Sequence, residues 1–527
     1  MLDTLIVGAG LSGLSVASRL QAAGRDFLLV DARVRAGGRI ETVPAAAGAV
    51  ALDLGPGWFW PQTQPRMARL IAELGLAVYP QHDSGTILHL PQADGSPEAL
   101  AQSGVHNGAH RVAGGMAAIV DAMVRRLPAG RLRTGCELTR LVDRDDHVDA
   151  YFRGECEDFV IVARRVVLAM PPRLVAERIA FEPALDGRLM EALQDTPTWM
   201  AAQAKVAMRY DTPFWRAAGL SGNAFVSHPQ AVLAEMFDAC DADAGSAALG
   251  GFVALSPSQR KAYAASLALL VRSQFAQLFG PRADEGELHV RDWSNEALTC
   301  SVRDAVEPGR HPDDGNAVLA APCWAGRLHL AGSETAGRGA GYLEGALDAA
   351  ARVCARLLDA TAASSIRAQL SPENGDSLAR FATWVAGQRA LGPELYRQGV
   401  ARVLAAQQGI DMTRTVLLDV IDRIYADALM QIDRLSFDTR KLPVEQGRCA
   451  LTPAVLEPFS GFSDALIAAA VAHNATSCAI SNFPDEHRPA ADYLRQIRHE
   501  LALAWRDFAL SVNGALLAGT PEASTLH

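Results

Sequence analysis

The chain has 527 residues, of which 49% are hydrophobic and 20% are charged. This length exceeds what one hydrophobic core usually supports, so we expect two or three domains, and the composition excludes a disordered or fibrous chain. The net charge of −10 argues against a general affinity for nucleic acid or anionic membrane, which leaves a small molecule as the favoured partner.

The cysteines and the apolar segments indicate in which cellular compartment the protein resides. The eight cysteines are scattered without a CxxC pair, which favours a reducing, cytoplasmic environment and predicts no zinc or dithiol site. Met1-Leu2-Asp3 leads directly into an apolar run, so we expect no signal peptide. The longest apolar run near the C-terminus, Ala465–Ala472, is shorter than the roughly 20 residues that cross a bilayer, so we expect no membrane span.

The first thirty residues predict a βαβ unit. Two short apolar runs, Thr4–Val7 and Phe27–Val30, are typical of buried parallel strands, and apolar residues at helical spacing lie between them. The turn after the first strand reads Gly8-Ala-Gly-Leu-Ser-Gly13. Such a turn lets backbone N–H groups and a helix N-terminus approach a pyrophosphate, so it predicts a dinucleotide site. The predicted contacts in the turn are Gly8, Gly10, Leu11, Ser12 and Gly13.

An acidic residue follows the second predicted strand. Asp31 lies roughly 20 residues after the glycine turn, where a carboxylate can bind ribose hydroxyls. A solvated acid at a strand end is the alternative interpretation of this residue.

Later segments alternate between strand and helix patterns, which predicts an α/β protein with an inserted second sheet. The predicted strands are Phe159–Val162, Arg165–Ala169, Ala204–Tyr210 and Leu328–Ala331. The predicted helices are Pro65–Leu74, Met116–Leu127, Lys261–Phe279 and Gly345–Leu358.

The last third of the chain has a different character. Residues 361–377 are rich in small and polar residues and predict a linker, and residues 378–527 show helical patterns only. We therefore expect a separate all-helical domain of unknown role. Its acidic and histidine residues lack HxxxH or ExxH spacing, so no metal site is predicted.

The segment Asp31-Ala-Arg-Val-Arg-Ala-Gly-Gly-Arg39 places a second glycine pair before an arginine. With this segment the chain resembles the flavin-dependent amine oxidases, the family of monoamine oxidases, polyamine oxidases and L-amino-acid oxidases. The fold class implied by the resemblance is α/β, with an FAD-binding Rossmann-like domain and an inserted α+β substrate domain. The C-terminal all-helical domain that completes the predicted fold rests on the helical patterns alone. The implied flavin module is 1–360, with FAD-binding parts at about 1–75, 130–175 and 285–360 and substrate-domain parts at about 76–129 and 176–284.

Two further segments extend the resemblance. Asp53-Leu-Gly-Pro-Gly-Trp-Phe-Trp60 is similar to the family segment that passes the flavin ring. His329-Leu-Ala-Gly-Ser-Glu-Thr-Ala336, followed by Gly341-Tyr-Leu-Glu-Gly-Ala346, is similar to the segment that completes the site. Beyond the glycine turn and Asp31, the FAD contacts that the resemblance implies are Ala32, Arg33, Gly38, Arg39, Gly55, Gly57, Trp58, Leu138, Trp293, Gly332, Ser333, Glu334, Leu343 and Ala346.

Lys205 is the candidate catalytic residue. The alternation of side chains along its strand puts Lys205 on the face opposite Val206, Met208 and Tyr210. This pattern alone is equally compatible with a solvated lysine. The resemblance implies that this lysine holds a water against flavin N5 and assists hydride acceptance and reoxidation by oxygen. It also implies that Tyr342 flanks the substrate.

The chain departs from the family pattern after Trp293. A gapless count puts Val302 where monoamine oxidases have the cysteine that bonds the flavin, so we expect non-covalent FAD. Arg303 falls where they have a second aromatic beside the substrate, and its planar fork would suit a substrate carboxylate. The alternative is that Arg303 pairs with Asp304 or Glu296 at the surface. Tryptophans that could replace the missing aromatic are Trp58, Trp60 and Trp324.

The resemblance implies an oxidoreductase that removes a hydride from the carbon bearing a substrate amine. The substrate is expected to be an amine or an amino-acid-like compound, the imine is expected to hydrolyse, and O2 or another acceptor is expected to reoxidise FAD. Two alternatives remain, namely an FAD-dependent desaturase or dehydrogenase of a biosynthetic intermediate, and a flavin-binding interaction protein acting through its helical domain. A homodimer is one assembly left open by the sequence.

Overall fold

A computed structural model describes most of the chain. The described residues are 1–44, 50–100, 104–154, 157–242, 247–307, 311–369, 372–405, 411–435, 437–439, 442, 444–445, 447–477, 479–481 and 483–518. The chain divides into two compact units, Met1–Ala355 and Arg356–His527. Cys156 and Cys478 lie outside the described residues.

The first unit alternates strands and helices. Its strands are β1 Leu2–Val7, β2 Phe27–Val30, β3 Thr42–Val43, β4 Leu52–Asp53, β5 Val78–Pro80, β6 Thr86–Leu90, β7 Glu98–Leu100, β8 His110–Val112, β9 Leu132–Arg133, β10 Glu137–Asp143, β11 Val148–Arg153, β12 Asp158–Leu168, β13 Ala180–Glu182, β14 Ala204–Tyr210, β15 Leu220–Val226, β16 Leu233–Asp238, β17 Ala247–Val253, β18 Glu287–Asp292 and β19 Leu328–Leu330. Its helices are α1 Leu11–Ala22, α2 Pro65–Leu74, α3 Ala117–Arg126, α4 Pro172–Arg178, α5 Gly187–Asp195, α6 Phe214–Ala217, α7 Pro257–Ala262, α8 Leu267–Phe279, α9 Val302–Val306, α10 Ala317–Ala320 and α11 Leu343–Gln369, which continues past Ala355.

The first sheet contains the predicted βαβ unit. Its strand order is β13-β10-β11-β12-β1-β2-β9, with β19 also paired to β12. The strands β2, β1, β12 and β19 run parallel, so their carboxyl ends meet at one edge. This arrangement is the doubly wound edge at which α/β proteins bind nucleotides.

The long strand β12 corrects one sequence expectation. We predicted two strands, Phe159–Val162 and Arg165–Ala169, but one continuous strand covers both. The strand remains unbroken because its first half pairs antiparallel with β11 while its second half pairs parallel with β1 and β19.

The second sheet confirms the predicted insertion. Its order is β18-β14-β17-β16-β15-β6-β7, and β14 lies between β17 and β18. Val206, Met208 and Tyr210 of β14 pack into the core on one face, where Trp215 and Phe275 are fully buried. Lys205 lies on the opposite face, as the alternation predicts.

One predicted helix is divided in two. Instead of a single helix over Lys261–Phe279, α7 ends at Ala262 and α8 begins at Leu267. A turn over residues 263–266 separates the two helices. Buried Arg260 donates to Asp292 and to the Ala202 carbonyl and so fixes α7 against β18.

The second unit is built from helices and one small hairpin. Its helices are α12 Pro372–Ala405, α13 Met412–Leu435, α14 Thr452–Leu456, α15 Phe462–Thr476, α16 Pro484–His487 and α17 Ala491–Leu517, and its two strands are β20 Val444–Glu445 and β21 Arg448–Cys449. Apolar faces of these helices form its core, where Val416, Ile424, Ile497 and Phe508 are buried.

The predicted linker, 361–377, coincides with helix at both ends. The helix α11 continues to Gln369 and α12 begins at Pro372, while residues 370–371 lie outside the described residues. The alanine content of this segment favours a helix and explains the difference. The division between the two compact units falls earlier, within α11.

In the described part of the chain, Thr452–Thr476 has the length and apolar composition of a membrane span. The stretch is interrupted by Gly461, which adopts a left-handed conformation with φ 69°. Val455, Phe459 and Leu466 from this stretch belong to the buried core of the helical unit. These apolar side chains therefore pack in the core of the helical unit.

We expect Gly13→Ala to destabilise the first unit by about 1–3 kcal/mol, because a Cβ at this position would overlap the Gly8 carbonyl oxygen beneath α1. Gly187→Ala is the matched control, since a Cβ there meets no atom within 4 Å. Calorimetric melting of the two variants checks this expectation. Equal melting temperatures would contradict the close packing of α1 on β1.

Candidate active site

A cavity of about 400 Å³ opens where the parallel strands of the first sheet end. It brings together residues from both ends of the first unit and from the second sheet. The predicted site residues that line it are Gly8, Gly10, Leu11, Ser12, Asp31, Ala32, Arg33, Gly38, Arg39, Gly55, Gly57, Trp58, Trp60, Leu138, Lys205, Trp293, Gly332, Ser333, Glu334, Tyr342, Leu343 and Ala346.

The glycine turn forms part of the cavity wall through its backbone. Gly8 has φ 102°, a conformation that side chains rarely adopt, and a Cβ there would overlap the Ala169 carbonyl oxygen. Gly13 was also predicted to contact the cofactor, but it does not line the cavity; a Cβ there would overlap the Gly8 carbonyl oxygen, so this glycine lets α1 pack on β1. Leu11 and Ser12 place the N-terminus of α1 at the cavity, and the first turn carries no acidic residue. The first-turn N–H groups and the helix dipole therefore favour an anion here.

Asp31 is 4% exposed at the end of β2. Its carboxylate accepts hydrogen bonds from the backbone N–H of Ala9 at 2.6 Å and of Arg33 at 2.8 Å. Burial raises the pKa of Asp31, although these two hydrogen bonds act in the opposite direction. The alternative of a solvated strand-end acid is wrong.

An ion pair at the cavity joins the segment that ends in Arg39 to the segment that contains Glu334. Arg39 Nη1 lies 2.7 Å from Glu334 Oε1, and the Glu334 side chain is fully buried. Arg39 Nη2 donates to Ser333 Oγ at 2.7 Å, and Nη1 donates to the Trp199 carbonyl at 3.1 Å. One guanidinium thus holds three segments that are far apart in sequence.

A second link joins the Tyr342 segment to α2. The buried carboxylate of Glu344 accepts hydrogen bonds from the backbone N–H of Arg66 at 3.1 Å and of Met67 at 3.0 Å. These are N–H groups of the first turn of α2, which have no partner within the helix itself. Glu344 therefore caps the helix that follows Trp60.

Lys205 is 4% exposed and lies among aromatic rings. Its Nζ donates to the Gly55 carbonyl at 2.8 Å. The ring centroids of Trp58, Phe237 and Phe252 lie 5.5, 5.3 and 5.6 Å from Nζ. Burial lowers the pKa of Lys205 to about 8. The alternative of a solvated lysine is therefore excluded by the structure.

Tyr342 belongs to an aromatic group at the cavity. Its ring lies 6.1 Å from Trp199 and 4.8 Å from His311, centroid to centroid. The sequence analysis missed Trp199 because it lies in an irregular segment between α5 and β14, where no periodicity marks a side chain. Further cavity residues that were not predicted include Gln64, Arg178, Met200, Gln203, Phe252 and Thr299.

The structure does not place Arg303 at the cavity. Ser301 starts α9 with a capping box, and Arg303 extends from this helix to pair with Asp195 at 2.8 Å and Glu307 at 3.0 Å. The predicted role of Arg303 in substrate binding is therefore wrong, and its surface partners differ from those anticipated. A gapless count through an irregular segment misplaced the residue.

Trp324 also lies away from the cavity. Its ring packs on Phe181 with centroids 5.8 Å apart, beside the core of the first sheet. The tight turn after Cys323, in which Trp324 has φ 49°, leads directly into β19 and directs the ring to that core. Its predicted role at the substrate is wrong.

The fold and the cavity define a dinucleotide-binding α/β protein with a buried lysine from an inserted sheet. A family model described as flavin containing amine oxidoreductase matches residues 11–103 and 98–358. The chain belongs to this family, as its sequence predicts, and its cofactor is FAD. The helical unit beyond residue 358 lies outside the match.

Two proteins related in sequence to this chain are named flavin-containing amine oxidases. An amine oxidase [flavin-containing] of Danio rerio is 27% identical over 367 residues, which cover 66% of this chain and 67% of that protein. Amine oxidase [flavin-containing] A of Sus scrofa is 24% identical over 311 residues, covering 57% of this chain and 56% of its own length. The chain thus spans a little over half to two thirds of these relatives.

Solved structures confirm the predicted fold class. A putrescine oxidase bound to putrescine aligns with TM-score 0.56 and 20% identity, covering 68% of this chain and 99% of that one. The cyclohexylamine oxidase from Brevibacterium oxydans IH-35A aligns with the same TM-score, identity and coverage.

The residues present fit FAD. A buried carboxylate at the end of β2, the open N-terminus of α1 and the guanidinium of Arg39 supply a ribose acceptor and two sources of positive charge for a pyrophosphate. The N-terminus of α11 at Leu343 lies at the same cavity, and its dipole favours negative charge there.

We expect Arg39→Met to weaken FAD binding by roughly 10- to 100-fold, because it removes a charged hydrogen bond and leaves Glu334 buried without its cation. Arg303→Met is the matched control, with an expected change within about twofold, since its ion pairs are exposed. The FAD dissociation constants of both variants, measured by flavin fluorescence, test the two positions together. Equal losses would contradict the placement of Arg39 and Arg303.

Proposed function

We propose that the chain oxidises the C–N bond of an amine using non-covalently bound FAD, with O2 or another acceptor taking up the electrons. The observation that carries this proposal is Lys205, a buried cation held by the Gly55 carbonyl and three aromatic rings at the FAD cavity. A charged side chain is rarely buried unless it is paired, and ionisable groups with strongly shifted pKa values cluster at functional sites.

An amine without a carboxylate is favoured over an amino acid. The arginines among the described cavity residues are paired with the chain's own carboxylates. Arg39 pairs with Glu334 at 2.7 Å, as above, and Arg33 lies 3.6 Å from Glu296. Arg178 lies 2.8 Å from Glu137. With Arg303 outside the cavity, the main argument for a substrate carboxylate is lost.

Non-covalent binding is supported by the segment that follows Trp293. This segment contributes Leu298 and Thr299 to the described cavity wall, and neither side chain can bond the flavin as a cysteine does. Val302, which the gapless count put at the position of the flavin-linking cysteine, is 77% exposed on α9 and, like Arg303, does not line the cavity.

The residues that would hold FAD are those of the glycine turn with Asp31, Arg39, Leu138, Ser333 and Leu343. When bound, FAD supplies a hydride acceptor for the carbon that bears the substrate nitrogen. The buried Asp31 carboxylate would accept from ribose hydroxyls, and the α1 N-terminus would bind phosphate oxygens.

Lys205 contributes a fixed positive charge and hydrogen-bond donors. An ammonium has three N–H groups, and the Gly55 carbonyl accepts from one of them. The others can hold a water molecule or stabilise negative charge that develops in the cavity. Because the charge is already in place before reaction, its stabilising effect requires no reorganisation.

Aromatic side chains form the substrate side of the cavity. Trp58, Trp60, Phe252, Trp199 and Tyr342 present apolar faces there. These rings bind the apolar part of an amine and exclude water from the reacting carbon. Tyr342 is 43% exposed and stands where substrate could enter.

A panel of amines and amino acids, added anaerobically to the FAD-loaded protein, tests the proposal through bleaching of the flavin absorbance. We expect amines to bleach it and hydrogen peroxide to form when air is admitted. Lys205→Met should retain FAD but slow the oxidation by roughly 10²- to 10³-fold, the usual loss when one preorganised electrostatic group is removed.

Bleaching by amino acids alone would overturn the preference for a simple amine. Reduction by neither class, with slow reoxidation after chemical reduction, would point instead to a desaturase or dehydrogenase. An unchanged rate in Lys205→Met would remove the lysine from the mechanism.

The reaction of the pre-reduced protein with O2 should depend on pH. The pKa of Lys205 is lowered to about 8, so the cation is present below this pH and is lost as pH rises through it. We expect the second-order rate constant for O2 to fall as pH rises through about 8. In Lys205→Met the rate constant should be low and flat across that range, and a parallel profile in both proteins would refute the assignment.

A further inference from the structure

The chain contains few lysines. Of its 49 lysine and arginine residues, only Lys205, Lys261 and Lys441 are lysines. One of these three is the buried cation of the cavity, while Lys261 is exposed on α7. Lysine differs from arginine in that its charge can be lost within the accessible pH range. The groups that control the proton on Lys205 therefore matter to the site.

Asp53 lies beside Lys205 and is held in one orientation. A Cβ built on Gly57 would lie 3.2 Å from Lys205 Nζ and 3.8 Å from Asp53 Cβ, so both side chains border that glycine. Asp53 Oδ1 accepts from Thr42 Oγ1 at 2.6 Å and from the backbone N–H of Met116 at 2.9 Å. The side chain of Asp53 is 2% exposed, so its charge acts in a medium of low dielectric constant.

Arg111 faces the other oxygen of Asp53. Its Nη2 lies 3.6 Å from Asp53 Oδ2, and the arginine side chain is 5% exposed. Asp53 Oδ2 and the Nε and Nη1 of Arg111 are buried without a hydrogen-bond partner in the structure. Asp53 Oδ1 is thus satisfied by hydrogen bonds whereas Oδ2 and these two guanidinium nitrogens are not, so this buried pair acts on neighbouring charges through a medium of low dielectric constant.

The other titratable groups near Lys205 are more exposed or lie beside partners of their own. His106 packs on the Trp58 ring, and its two ring nitrogens lie 3.7 Å from Asp83 and 3.6 Å from Glu235. Glu235 on β16 is two strands from Lys205 in the sheet register, with Phe252 between them, and its side chain is 32% exposed. Arg291 on β18 is in register with Lys205 but pairs with Glu41 and Glu296. Among the described residues, Asp53 and its partner Arg111 form the buried charged pair that borders Lys205, from β4 and β8.

We propose that Asp53 and Arg111 are positioning residues that set how readily Lys205 holds its proton, with Asp53 favouring the charged lysine and Arg111 the neutral one. The attraction of the ammonium to Asp53 and its repulsion by Arg111 have opposite signs, so the two residues act against each other on the proton of Lys205. The direction of each effect agrees with the influences that act on the pKa of Lys205, where burial is the largest. The proposal concerns ionisation and goes beyond the proposed amine oxidation.

Selective labelling with lysine carrying ¹³C at Cε tests the proposal in the FAD-loaded full chain. Three lysines give three NMR signals, and the signal lost in Lys205→Met identifies Lys205. We expect its titration midpoint to fall in Asp53→Asn and to rise in Arg111→Met, each by roughly one pH unit. Glu235→Gln, which changes a more exposed charge, is the matched control and should shift the midpoint less than Asp53→Asn does.

Opposite shifts would support the proposal, because a general loss of packing would move both midpoints in the same direction. Shifts of equal sign, or no shift in Asp53→Asn, would overturn it. If Arg111→Met does not fold, the double variant Asp53→Asn, Arg111→Met replaces it. Its midpoint should then exceed that of Asp53→Asn alone, and an equal or lower midpoint would overturn the role of Arg111. The signals of Lys261 and Lys441 should titrate alike in all variants.

Discussion

The site depends on the close approach of backbone to backbone where β1, β12 and β19 end. A Cβ on Gly8 would overlap the Ala169 carbonyl oxygen, and a Cβ on Gly332 would overlap that of Met170. Because no side chain fits at these points, peptide groups and a helix N-terminus form this part of the cavity wall, where a large cofactor can lie against them. The same approach brings Ser333 and Glu334 within reach of Arg39, although the two segments are almost three hundred residues apart.

Local pattern predicted the elements whose hydrophobic periodicity is clear. The strands Phe27–Val30 and Ala204–Tyr210 and the helix Pro65–Leu74 have the bounds that the sequence predicts. In each, hydrophobic periodicity and tertiary packing favour the same structure. The burial of Lys205 could not be derived in this way, since Phe237 and Phe252, which surround it, come from two other strands of the same sheet.

The errors fall in irregular segments. Arg303 and Trp324 were placed at the substrate by counting along the chain from Trp293 and by residue type. The capping box of Ser301 and the tight turn at Trp324 direct both side chains elsewhere. Trp199 and His311, which do contact Tyr342 or each other, also lie outside regular elements. The cofactor half of the cavity, made of regular elements and glycine turns, was thus predictable, whereas the substrate half depends on loop conformations that no periodicity encodes.

The cap that Glu344 places on α2 has a consequence for selectivity. The residue stands two positions after Tyr342, and the helix it caps follows Trp60, so one buried carboxylate connects the two walls that carry these rings. Neither wall can move outward without breaking hydrogen bonds to a buried charge, which costs more than a bulky ligand gains from a few contacts. The width between the rings is therefore fixed in advance. The site would then discriminate among amines by their cross-section and not by a conformational change that adapts to each substrate.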